Sequence, residues 1–103
     1  MIETICDVEV DFKPLSIRQH MKRIEREEKD MLLLYSATEK ALTNKDGSPT
    51  IYTAKELQAL KRAQNENVKL GYENITKVGG KKAEECDAEL FISICDELFG
   101  KNG

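Results

Sequence analysis

The chain is 103 residues long and 34% of its residues are charged, with 16 basic and 19 acidic side chains and a formal net charge of -3. This balance excludes the concentrated positive charge on which nucleic-acid affinity depends. No apolar run approaches the roughly 18 residues of a membrane span, and the three cysteines form no CxxC pair. We therefore predict a single domain, residues 1–103, that is reduced, cytoplasmic and without a targeting signal.

The first predicted element is a β element in residues 1–14. Apolar residues alternate with acidic ones across residues 8–12, which is the period of a half-buried strand. If Cys6 and Asp7 form a two-residue turn, Ile5 opposes Val8 and Glu3 opposes Val10 in a hairpin. The alternative is one long strand with Ile2, Cys6, Val8, Val10 and Phe12 on the same side.

A long first helix is predicted for residues 16–42, because Pro14 ends the strand and Ser16 is a suitable N-cap. The residues that share one side of this helix are Ile17, Met21, Ile24, Glu28, Met31, Tyr35, Thr38 and Leu42. Their spacing alternates between four and three, as in a heptad seam with two polar interruptions. We interpret the apolar members of this seam as part of a packed helical core.

The stretch Met31 to Tyr35 reads MLLLY, so its side chains point to every side of a helix. The seam does not account for Leu32, Leu33 and Leu34, which need other neighbours. A helix that is apolar all round is buried or contacted on several faces. We predict that these three leucines bind a protein partner, either a second copy in a homo-oligomer or a client. The alternative is that the β element folds over them.

A second helix is predicted for residues 53–78 after an exposed loop at residues 44–49. Thr53 followed by Glu56 three residues later is a capping box, and Leu57, Leu60, Val68 and Ile75 mark an apolar stripe. Gly71 interrupts the stripe, and a helical glycine costs about 1 kcal/mol relative to alanine, so a break near residue 71 is expected.

A third helix is predicted for residues 83–99, after the Gly79-Gly80 pair and before a frayed tail at residues 101–103. Its apolar residues, which include Cys86 and Phe99, recur at helical spacing, and acidic residues occupy its first turn. The predicted fold is mainly α, with an N-terminal β-hairpin or strand followed by a three-helix bundle.

The sequence offers no set of residues typical of catalysis, metal binding or a cofactor. His20, the only histidine, lies off the apolar seam beside residues that cannot assist it, so we predict a surface position. The cysteines in the third helix are predicted to be small buried apolar residues. Lys77, Lys81 and Lys82 surround a Gly-Gly pair that lacks the P-loop pattern, and they are the candidates for a weak anion site.

The segment VEVDFKPLSIR, residues 8–18, resembles the opening of tail assembly chaperones of long-tailed bacteriophages. In that family a short β-hairpin ends in a similar phenylalanine-proline phrase and passes directly into helices. The resemblance covers about eleven residues, and no functional residue of the family aligns with this chain.

If this resemblance holds, it implies a non-enzymatic protein in the host cytoplasm that keeps the aggregation-prone tape-measure protein soluble and recruits tail-tube subunits. The leucines at 32–34 would suit such a client. The alternative function is a small oligomeric accessory protein that binds an anionic ligand through Lys77, Lys81 and Lys82, or inhibits a host enzyme.

Overall fold

The fold of this chain, a computed structural model that describes residues 1–44 and 46–100, combines three helices with a four-stranded antiparallel sheet. The strands are β1 (Ile2–Ile5), β2 (Val8–Phe12), β3 (Ile75–Val78) and β4 (Lys81–Lys82). The helices are α1 (Ile17–Thr43), α2 (Ala54–Asn74) and α3 (Ala88–Phe99), with a single 3-10 turn at Ala83–Glu85. Lys45 of the predicted loop and the predicted tail at residues 101–103 lie outside the described residues.

Strands β1 and β2 form the predicted hairpin, with Ile5 opposite Val8 and Glu3 opposite Val10. Cys6 and Asp7 occupy the turn at φ values of 52° and 63°, the left-handed conformation that a two-residue hairpin turn requires. The alternative of one long strand is therefore wrong. Asparagine, aspartate and glycine are the residues that usually occupy such positive-φ positions. In this turn one of the two positions is an aspartate and the other is a cysteine.

The end of the predicted second helix is wrong, because residues 75–78 form β3 instead. Strand β3 pairs with β2 on one side and β4 on the other. Three of its four residues, Ile75, Thr76 and Val78, are β-branched and favour a pleated strand over a helix. Gly79 and Gly80, at φ values of 59° and 82°, form the tight turn that returns the chain as β4.

The predicted helix break near Gly71 does not occur, because α2 runs through this residue to Asn74. Gly71 is buried where α2 packs against α3, and a Cβ atom added there would overlap the Sγ atom of Cys95. The glycine therefore allows two helices to approach closely, and this outweighs its low helix propensity.

The core lies between the sheet and the two helices α2 and α3. Its buried apolar residues are Ile5, Val10, Phe12, Leu70, Ile75, Val78, Ile94, Cys95 and Phe99. Helix α3 starts later than predicted, since the Asp87 side chain accepts a hydrogen bond from the Leu90 N–H and caps it. The predicted mainly α fold, with an N-terminal hairpin and three helices, is confirmed in outline, and the additional strands β3 and β4 are the difference. Helix α1 packs mainly against α2, whereas α3 packs against α2 and the sheet.

Candidate interaction surface on the first helix

The start of α1 is fixed by a capping box and by a contact with the end of α2. The Ser16 hydroxyl accepts a hydrogen bond from the Gln19 N–H at 3.1 Å, and the Gln19 side-chain oxygen accepts one from the Ser16 N–H at 2.9 Å. The Gln19 amide nitrogen then donates to the Glu73 carboxylate at 2.7 Å. This contact ties the first turn of α1 to the last turn of α2, so the two helices form an antiparallel hairpin.

The side of α1 that faces α2 carries charged and small residues. Arg23, Asp30 and Ala37 lie seven residues apart on this side and are all buried. The Asp30 carboxylate accepts two hydrogen bonds from Arg62, at 2.8 and 2.9 Å, and these bonds lower the pKa of Asp30. We call this side the inner face. The seven-residue spacing of the inner face is not visible in the apolar pattern of the sequence, because charged residues occupy positions that usually hold apolar ones.

Glu56, near the start of α2, holds the other end of the helical hairpin. Only 2% of this residue is exposed. Its carboxylate accepts hydrogen bonds from the Lys40 ammonium at 2.5 Å, the Thr53 N–H at 2.8 Å and the Ser36 hydroxyl at 2.9 Å. The Lys40 contact, followed by the Thr53 N–H, lowers the pKa of Glu56 to about 2. The predicted capping residue therefore also joins the two helices.

The opposite side of α1 carries a line of apolar side chains exposed to solvent, which we call the outer row. Its members are Ile17, Met21, Ile24, Met31, Tyr35 and Leu42, and they are between 43% and 82% exposed. At 1.5 Å per residue the row is about 38 Å long. Our interpretation of these residues as part of the core is wrong.

The outer row is exposed because α2 accommodates the inner face of α1 instead. Ala59 of α2 and Ala37 of α1 are both buried, at 0% and 1% exposed. Leu70, the buried leucine of α2, belongs to the core with α3 and the sheet. The outer row lies on the far side of α1, and the exposed apolar residues of α2, Leu57 and Tyr72, do not cover it.

The three leucines predicted to bind a partner have different surroundings. Leu32 is 79% exposed beside the outer row, so neither the β-hairpin nor another helix covers it. Leu33 and Leu34 are half-buried on the two flanks of the inner face. Leu32 therefore shares the open surface of the row, and Leu34 borders a groove at the edge of the row. Partner binding by the three leucines stays a prediction.

A groove of about 420 Å³ lies along the edge of the outer row, between α1 and α2. Its lining is mixed: Met31, Leu34 and Tyr35 supply apolar side chains from α1, and charged and polar side chains lie beside them. Arg26 is one of the charged residues, and its buried Nε and Nη1 atoms have no hydrogen-bond partner among the described residues. Apolar side chains beside an arginine fit a protein segment with a nearby carboxylate or carbonyl oxygen.

The predicted anion site is divided between two faces of the sheet. Lys77 pairs with Lys82 across β3 and β4 and with Asp11 across β2 and β3, so these three residues lie on the same face of the sheet. Lys81 pairs with the buried Val78 and points to the other face. The carboxylate of Asp11 lies 3.6 Å from the N-terminal amine of Met1. Anion binding by the three lysines stays a prediction.

The cysteines of the core and the histidine have surroundings that do not activate a side chain. Burial raises the pKa of Cys95 to about 12 and also raises that of Cys86, and both shifts disfavour the nucleophilic thiolate. His20 is exposed on α1. In residues 1–44 and 46–100, no group of three or more His, Cys, Asp or Glu side chains is placed to hold a metal ion.

Comparisons of the chain with protein-family models, with curated proteins and with solved structures find no match. Within the described part of the chain, no helix is long and apolar enough to cross a membrane.

Proposed function

We propose that this chain is a non-enzymatic protein-binding protein that acts in assembly, with the outer row as its docking face. The observation that carries the proposal is the polarity of α1, which buries Arg23 and Asp30 while six large apolar side chains face solvent. Large exposed apolar surfaces on small proteins are typical of sites that bind other proteins. A row at heptad spacing fits a helical partner in particular.

The specific role we propose is that of a phage tail assembly chaperone in the host cytoplasm. The support is the resemblance of residues 8–18 to the opening of that family, together with the hairpin that precedes α1. A chaperone of this kind would cover apolar helical segments of a tape-measure protein until tail-tube subunits assemble. The outer row and Leu32 supply the apolar contact area that such a client needs.

Co-expression with a tape-measure protein fragment tests this function. We expect the fragment to be soluble and to co-purify with the chain, and we expect Tyr35→Asp to abolish both effects. Tyr72→Asp is the matched control, because Tyr72 is 72% exposed on α2 but lies off the outer row, whereas Tyr35 is 69% exposed within it. Equal capture by the two variants would contradict the outer row as docking face, and no capture by the native chain would contradict the chaperone role.

A further inference from the structure

We infer that in the free protein the outer row is covered by the outer row of a second copy, with the two α1 helices antiparallel about a two-fold axis. This inference rests on the proposed function, because it takes the outer row to be a docking face. It goes further by naming a second copy as the molecule that covers the outer row and by giving the relative direction of the two α1 helices. A two-fold dimer of this kind uses the same surface twice, so the surface must be complementary to itself.

The spacing of the outer row meets this condition. When Glu28 and Thr38, the two polar positions of the same seam, are included, its midpoint lies between Lys29 and Asp30 and each position has a counterpart equally far on the other side. Met21 then pairs with the position of Thr38. In an antiparallel pair, Ile17 of one copy therefore lies beside Leu42 of the other, and Ile24 lies beside Tyr35. The central layers place Glu28 beside Met31. Alternating spacings of three and four are those that interlock side chains between two helices.

The charges select the antiparallel direction over the parallel one. In a parallel pair in register, Glu28 of one copy would share a layer with Glu28 of the other, and like charges in one layer repel. In the antiparallel pair, each Glu28 instead shares a layer with Met31 of the other copy. It also places Arg18 opposite Glu39 on the same flank of the row, and the two-fold axis makes this contact twice. Both residues are exposed in the single copy and available for it.

The exposed surface is of the size that a specific dimer uses. The outer row and Leu32 offer seven large apolar side chains between 43% and 82% exposed, a surface of the same order as the roughly 800 Å² that each partner buries in a standard interface. Leu32 lies on the same flank as Arg18 and Glu39, and in the antiparallel pair it packs beside Glu25 of the second copy. Pairing would therefore also cover the most exposed leucine of the MLLLY stretch.

Sedimentation velocity across a dilution series tests this inference. We expect the native chain to dimerise as its concentration rises, and Tyr35→Asp to weaken the dimer by more than about tenfold, since each dimer loses two apolar contacts. Tyr72→Asp, the matched control, should dimerise like the native chain. Circular dichroism confirms that each variant keeps its helices.

A mixing experiment tests the direction of pairing with variants that change only exposed charges. Arg18→Glu and Glu39→Arg should each weaken self-association several-fold, because each places like charges opposite one another. An equimolar mixture of the two variants should recover native-like dimers. In the mixed dimer the new acidic side chain at position 18 faces the new basic side chain at position 39, and at the other end the native Glu39 faces the native Arg18. A parallel pair predicts no recovery.

Three results would overturn the inference: a native chain that stays monomeric at its highest soluble concentration, a dimer that Tyr35→Asp leaves intact, or a mixture without recovery. These failures differ from failure of the proposed function. A monomer that still captures the tape-measure fragment, and loses it on Tyr35→Asp, would overturn self-pairing and leave the docking face in place.

Discussion

Helices α1 and α3 have similar apolar periodicity but opposite surroundings. Helix α3 places Ile94, Cys95 and Phe99 in the core, whereas α1 places its outer row in solvent and buries Arg23 and Asp30. The difference lies in the neighbours, since α3 packs against both the sheet and α2, whereas α1 packs mainly against α2. An apolar pattern at helical spacing therefore identifies one face of a helix. Whether that face is buried depends on which other elements pack against it.

The largest expected effect separates the two helices by their contribution to folding. Ile94→Ala should lower the free energy of unfolding by about 2–5 kcal/mol, because it leaves a cavity in the core. Ile17→Ala, the same substitution at an exposed position of the outer row, should change it by less than about 0.5 kcal/mol. Urea denaturation of dilute protein measures both. Equal losses would contradict the assignment of one helix to the core and the other to the surface.

A smaller effect tests the close approach of α2 and α3. Gly71→Ala should lower the free energy of unfolding by about 1–3 kcal/mol, because the new methyl group overlaps the Cys95 thiol. If a weak helix at this glycine were the dominant factor, alanine would instead stabilise the protein. The control is the same substitution in a Cys95→Ala background, where the loss should shrink because the sulfur is gone.

Much of the local structure was predictable from particular residues. The turn at Cys6-Asp7, the Ser16 cap and the Thr53–Glu56 capping box follow from short-range chemistry, and the structure confirms each of them. Residues 75–78 were misassigned because Ile75 also continued the helical stripe of α2. The orientation of α1 was not predictable from local patterns. Its inner face is held by the pairing of Asp30 with Arg62 and by the contacts of Glu56, and these contacts join residues of two different helices.

The smallest effect concerns the polar contacts of the inner face and appears as a dependence on pH. The pKa of Glu56 is lowered from 4.5 to about 2, so its contribution to stability is complete above about pH 4.5 and is lost as the pH falls towards 2. Glu56→Gln should lower the melting temperature at neutral pH and flatten the change in melting temperature between pH 4.5 and 2. Glu85→Gln, at an exposed position of the 3-10 turn, is the control, and identical acid profiles for the two variants would contradict this role for Glu56.

The exposure of the outer row is best measured by the alkylation rate of a thiol placed within it. In a Met31→Cys variant, peptide-resolved mass spectrometry would compare the new thiol with the buried Cys95 at several protein concentrations. We expect rapid alkylation at position 31 in dilute solution, because Met31 is 59% exposed, and slower alkylation as a second copy covers it. A thiol at position 31 that reacts as slowly as Cys95 at every dilution would place the row in the core and contradict its role as an exposed docking face.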